Sequence, residues 1–183
     1  METIARGGQH FRVADPSWAD PLDGSYSMQH GQRWNGAGSY PTTYLNADRA
    51  VARANARRLL TEQLRGQPFS AEDLDPAELP VLVLTEVIQA AYLDVVTARG
   101  VTSNGLPVTY PLDSAGTTVA HAVCQVIGSQ AHSAGLPGVA SRSAATHAPA
   151  GGEELAVFGQ GAAGGLTVTS TELFDEWYGP FDW

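Results

Sequence analysis

Between Gly31 and Pro41 the chain reads GQRWNGAGSYP, in which three glycines, an asparagine and a closing proline surround one Arg-Trp pair. Such a composition supplies residues tolerant of positive φ and one position with no amide proton, so it belongs to an ordered loop and not to a helix or strand. The loop dictates what can follow it. Thr42, Thr43, Tyr44 and Leu45 are rich in β-formers and predict a short strand. Asn46 and Asp48 then offer an N-cap and a first-turn acid to a helix over 47–64.

The predicted helix has two unlike faces. Val51, Asn55 and Leu59 lie four apart and share one side with Ala54, which sets the Asn55 amide facing inward, where it needs hydrogen-bond partners. Arg49, Arg53 and Arg57 lie four apart on another side. Like charges at that spacing repel by a few tenths of a kcal/mol unless something anionic sits opposite, so the stripe reads as a solvated face partly neutralised by Asp48 and Glu62. Arg33 is presented from the loop as a planar fork of donors suited to phosphate or carboxylate. Trp34 beside it either stacks on a ligand ring or plugs a core, and from these residues alone a core tryptophan and a surface ion pair are the plainer expectation.

At 183 residues the chain is long enough for one domain with a real core. Its formal net charge of −9 argues against a general nucleic-acid surface, so an anionic ligand would need a local basic pocket, for which Arg12, Arg33 and the arginine-bearing helix are the material. A single cysteine, Cys124, excludes an internal disulfide and any multi-cysteine metal site, and is expected to be a small buried hydrophobe. His121 and His132 fall near one side of a later helix with no third ligand, so no metal site is expected. No stretch is apolar enough to cross a bilayer and the first residues lack the apolar run of a signal peptide, so a soluble, cytoplasmic protein is expected.

Elsewhere, residues 1–10 read as a frayed polar lead and Phe11-Arg12-Val13 as the first strand. Residues 14–28 form a turn-rich loop of the kind that covers a site. A connector over 66–80, with a helical turn at 71–74, precedes a central apolar strand over 81–87, and Tyr92 to Val96 continue the β character. Residues 117–134 have Val119, Val123, Val126, Ile127, Ala131 and Ala134 at helical spacing, and Gly135 is the natural stop. Val139 to Ser143 and Glu154 to Phe158 are the last strands of a domain spanning 1–158. A Gly-rich linker from Gly159 then leads to an aromatic and acidic C-terminal segment ending at residue 183. That segment is either a docking element or, as the preferred reading, a last strand and helical turn that complete the core.

Several of these motifs, taken in order, carry a resemblance: Phe11-Arg12-Val13, then Gly31-Gln32-Arg33-Trp34-Asn35, then Tyr44-Leu45 before an Ala/Val-rich helix, and finally Gly135 to Ala144, GLPGVASRSA. The chain resembles the RES domain family, named for its arginine, glutamate and serine, whose characterised members are bacterial toxins that destroy NAD+ by phosphorolysis or hydrolysis of the nicotinamide-ribose bond. The resemblance implies an α+β fold, a single domain similar to that of ADP-ribosyltransferases, with central mixed or antiparallel sheets flanked by helices. It implies NAD+ as substrate with no further cofactor, inorganic phosphate as an acceptor besides water or a protein side chain, and a protein antitoxin as partner. It leaves the oligomeric state open, a homo-oligomer included. Arg33 matches the family arginine, Tyr44 the tyrosine lining the nicotinamide side of the pocket, and Arg12 a second arginine near the start of such domains. Ser143 best matches the family serine, with Ser141 the weaker match.

The departure is at the glutamate. The spacing from Arg33 to Tyr44, repeated once more, lands on Asn55. Cleaving a nicotinamide-ribose bond builds positive charge on the ribose, which a carboxylate stabilises; asparagine keeps the size but has neither charge nor basicity. Losing one such electrostatic contributor costs about a hundred- to a thousand-fold in rate. Three outcomes stay open: another acid, such as Glu86, Asp94 or Glu153, enters the pocket; the enzyme is slow; or the domain is a non-catalytic NAD- or nucleotide-binding module.

Overall fold

The computed structural model describes residues 1–63, 79–159 and 161–178. The expected helical turn at 71–74, the last residue of the first long helix at Leu64, and the terminal aromatics Phe181 and Trp183 lie outside the described residues. The strands are β1 (Thr3–Ala14), β2 (Thr42–Asn46), β3 (Val81–Val95), β4 (Gly138–Arg142), β5 (Glu153–Phe158) and β6 (Leu166–Glu172). The helices are α1 (Ser25–His30), α2 (Arg49–Gln63), α3 (Ala98–Ser103), α4 (His121–Ser133) and α5 (Phe174–Trp177). The six strands form one mixed sheet in the order β1-β2-β5-β4-β3-β6, flanked by helices, as the resemblance implies for an α+β domain. Strands β3 and β4 pair in parallel and the other pairs are antiparallel. Because β1 pairs with both β2 and β3, the sheet curls back on itself.

Two expectations about strands are corrected. The polar lead is not frayed: β1 begins at Thr3 and pairs with β3 from Thr3↔Leu93 to Ala14↔Val81. Ladder bonds are made by the backbone, whose donors and acceptors are the same under a polar side chain as under an apolar one, so side-chain polarity does not report them. The apolar run at 81–87 and the piece from Tyr92 are one continuous strand. Beyond Phe158, a 3₁₀ turn at Gly161–Gly164 leads into β6, which adds to β3 through Leu82↔Glu172 to Val87↔Leu166.

Strand alternation divides the core into layers. Val139, Ala156 and Phe158 face one side of the sheet and pack with Trp34, Cys124, Ile127 and Ala131. Ala140, Leu155 and Val157 face the other side, with Leu45, Val83 and Tyr92. Helix α2 lays Ala52, Ala56 and Leu60 on Phe11, Leu82 and Leu84, and Phe174, Trp177 and Tyr178 of the C-terminal segment close this third layer. The arginine stripe of α2 is exposed at Arg49 and Arg53, as expected of a solvated face, and it draws partners from the C-terminal segment. Arg49 pairs with Glu172, and Arg53 donates to the Trp177 carbonyl with its guanidinium over the Tyr178 ring.

Helix α4 also turns differently from its apolar spacing. It buries Cys124, Ile127, Gly128 and Ala131, while Val123 and Val126 are 47% and 59% exposed. The cause is Gly128: a Cβ there would come within 1.9 Å of the Trp34 carbonyl oxygen, so only a glycine face can lie this close to the RWN loop. Gly135 follows the helix at φ +76°, the left-handed stop its sequence position predicts.

Candidate active site

Asn35 ties the RWN loop together. Fully buried, it donates through Nδ2 to the Ser27 and Tyr40 carbonyls and accepts through Oδ1 from the Tyr44 hydroxyl. The Tyr44 hydroxyl in turn accepts from the Trp34 amide at 2.9 Å. With Trp34 plugged into the core at 1% exposure, Arg33 has no freedom to follow it inward and is held on the opposite side, at a cavity of about 530 Å³. Arg33 does not form the surface ion pair expected of it; its Nη1 donates to the Val119 carbonyl at 3.2 Å, and no carboxylate pairs with it among the described residues.

The same cavity is lined by Arg12, Tyr44, Asn46, Asn55, His121 and Glu154, with Trp18, Tyr26 and Leu59 also on its wall. Arg12 is 8% exposed and donates through Nη2 to the Asp23 carbonyl, while its buried Nη1 has no partner among the described residues. Burial pulls this guanidinium down to about 10, opposed by Asp20 and Asp23, which leaves it cationic at neutral pH. Burial also lowers His121, helped by Arg33 and Arg58, so the imidazole is disposed to stay neutral. The Tyr44 phenol is pushed up by burial, against the hydrogen bond from Trp34, and stays protonated.

The structure brings Asn55 and Ser143 together on a group to which the motif spacing does not point. Glu154 Oε1 accepts from Ser143 Oγ at 2.6 Å and from Asn55 Nδ2 at 2.9 Å. Asn55 Nδ2 also donates to Asn46 Oδ1 at 2.8 Å, and Asn46 Nδ2 donates to the Phe11 carbonyl. Asn46 is thus a cavity residue and not the helix cap expected of it; Asp48 caps α2 by accepting from the Val51 amide. The weaker serine, Ser141, is fully buried with its hydroxyl unpartnered among the described residues and off the cavity wall.

None of Glu86, Asp94 and Glu153, the acids open as substitutes, lines the pocket. Glu153 pairs with Arg6 at 2.8 Å. Asp94 is buried among its own neighbours; desolvation raises it, but hydrogen bonds from Thr97 and Val96 outweigh that and hold it below the ordinary carboxylate range. Glu86 is exposed on β3. The signal that could have found Glu154 is strand alternation: register sets Asn46 and Ser141 directly opposite Glu154, on the face that Tyr44 and Ala156 share. His121 and His132, expected near one side, part company, since His132 stacks on Tyr40 at 3.9 Å. No cluster of three metal-ligating side chains exists among the described residues.

The cavity of this α+β domain thus joins two guanidiniums that lack carboxylate partners among the described residues, an aromatic wall and one hydrogen-bonded carboxylate. Residues 9–176 match the family model of the RES domain, and the chain belongs to that family. Among solved structures it is similar to a chain of the M. tuberculosis MbcT-MbcA toxin-antitoxin complex, with a TM-score of 0.73 and 22% identity over 96% of this chain and 91% of that one. No curated protein matched. No helix among the described residues is long and apolar enough to cross a membrane.

Proposed function

We propose that this chain is a toxin-like protein that degrades NAD+ by cleaving the nicotinamide-ribose bond, with phosphate or water as acceptor. The observation that carries the reading is the buried Nη1 of Arg12, left without a partner among the described residues on the wall of a cavity that also holds Arg33. A buried cationic donor is costly to leave unmade and cheap to satisfy with an anion. Arg12 and Arg33 bind the NAD+ phosphates or the attacking phosphate. Tyr44, locked by the Trp34 amide and Asn35, gives the nicotinamide ring a rigid wall. Ser143 helps position the ribose or phosphate through the Glu154 carboxylate, to which its Oγ donates. The protein acts in the cytoplasm, and the toxin-antitoxin complex of the similar structure supports a protein antitoxin as its partner.

A non-catalytic NAD-binding module is the second reading. It is favoured by Asn55, whose amide stands where the family resemblance calls for a carboxylate. The two separate in one assay: nicotinamide release from NAD+, with and without phosphate, by the native chain and by Arg33→Ala. Turnover that disappears in Arg33→Ala supports cleavage. Binding of NAD+ without turnover supports the module, and no binding at all rejects both.

A further inference from the structure

We infer that Glu154 is the carboxylate that meets the reacting ribose, and that Asn55 and Ser143 are positioning residues that hold it there. The inference rests on the NAD+-cleavage reading and supplies the group that Asn55 cannot. Among the described side chains that line the cavity, Glu154 is the only acid, set in a wall that also carries Arg12, Arg33 and Arg58. A cation forming in that cavity has no other negative group to face among them.

The hydrogen bonds show how the carboxylate is mounted. Both of its donors, Ser143 Oγ and Asn55 Nδ2, go to Oε1, and Oε2 has no partner among the described residues. One oxygen is anchored and the other is left for a ligand. The two anchors come from different places, helix α2 and the residue just past β4, and Glu154 itself sits on β5, so the group is held between regular elements of the fold.

The identity of Asn55 follows from this arrangement. Its Nδ2 spends both protons, one on Asn46 Oδ1 and one on Glu154 Oε1. An acid at the same position would have no proton for either, and would set two carboxylates within hydrogen-bond distance of each other. The negative charge thus stands on β5, and the neutral donor on α2 is its counterpart.

In the reaction, the bond between ribose C1 and the nicotinamide nitrogen breaks and the electron pair leaves with nicotinamide, which becomes neutral. The ribose carbon gains positive charge and then bonds an oxygen of phosphate or water; water releases its proton to solvent. Glu154 forms no bond and stabilises the positive charge as it develops.

The test uses the purified full chain, with nicotinamide release and calorimetric NAD+ binding measured together. Glu154→Gln keeps the size of the side chain and is expected to lower turnover by about a hundred- to a thousand-fold while NAD+ still binds. Asn55→Asp is expected to lose turnover and not to gain it. The isosteric swap, Asn55→Asp with Glu154→Gln, returns one carboxylate and one amide to the same pair and is expected to recover part of the loss, which also shows that the site folds. Ser143→Ala is expected to slow the native chain and to add nothing further in the Glu154→Gln background, as a residue acting through Glu154 must. Turnover unchanged in Glu154→Gln, or raised in Asn55→Asp, would overturn the inference and leave NAD+ cleavage standing. A native chain that releases no nicotinamide would remove the cleavage reading and the inference with it.

Discussion

Arg49 and Arg53 on the outer side of α2, and Arg12 and Arg33 on the cavity wall, are the same chemical group in two kinds of surroundings. The outer pair is matched: Arg49 meets the Glu172 carboxylate, and Arg53 meets the Trp177 carbonyl and the Tyr178 ring. The cavity pair has no carboxylate partner among the described residues, and Arg12 keeps a buried nitrogen with no acceptor among them. Matched guanidiniums on an exposed face add little to stability, whereas an unmatched buried one beside a cavity is a standing cost that a ligand can remove. The difference lies in what the chain places opposite each arginine, which no count of arginines would show.

If the outer face is structural, its aromatic anchor should matter most. Trp177→Ala opens a hole between Phe174, Tyr178 and the alanines of α2. It is expected to destabilise the protein by about 3–5 kcal/mol in chemical denaturation, with NAD+ affinity of the folded fraction unchanged. A variant of normal stability that no longer binds NAD+ would break the distinction between the two regions. The next effect belongs to the cavity. Arg12→Met keeps the buried stem and removes the charge, and is expected to weaken NAD+ binding by about 1.5–3 kcal/mol, the worth of a charged hydrogen bond, with little change in melting temperature. Equal binding by Arg12→Met would show that its unpaired nitrogen is not a ligand donor. The smallest effect is Arg49→Ala, expected to cost about 0.2–1 kcal/mol of stability and nothing in NAD+ binding, because its ion pair with Glu172 is partly exposed.

Much of the site is legible in the residues themselves. Glycines, an asparagine and a proline make the RWN segment a loop, and helical spacing turns Asn55 inward, where its amide does find partners. Arg12, Arg33, Tyr44 and Asn55, each singled out by its motif, all line one cavity. Other expectations fail for identifiable reasons. The valines of α4 suggest an apolar face, but the close approach that Gly128 allows to Trp34 selects a different one. The α2 arginines Arg49 and Arg53 are exposed as their spacing suggests, but the partners they find lie more than a hundred residues further on, in β6 and α5, where no local pattern points.

The adjacent glutamates Glu153 and Glu154 mark the boundary most sharply. The sequence by itself determined that position 55, on the inward face of α2, carries an amide and no carboxylate, and that two acids stood at the start of β5. Successive strand residues point to opposite faces, so one of the pair had to face the cavity side and the other had to face away. Which one it was depends on register. Only the pairing of β5 with β2 and β4 sets Glu154 opposite Asn46 and Ser141 and sends Glu153 to Arg6, and that register comes from backbone bonds between segments far apart in the chain.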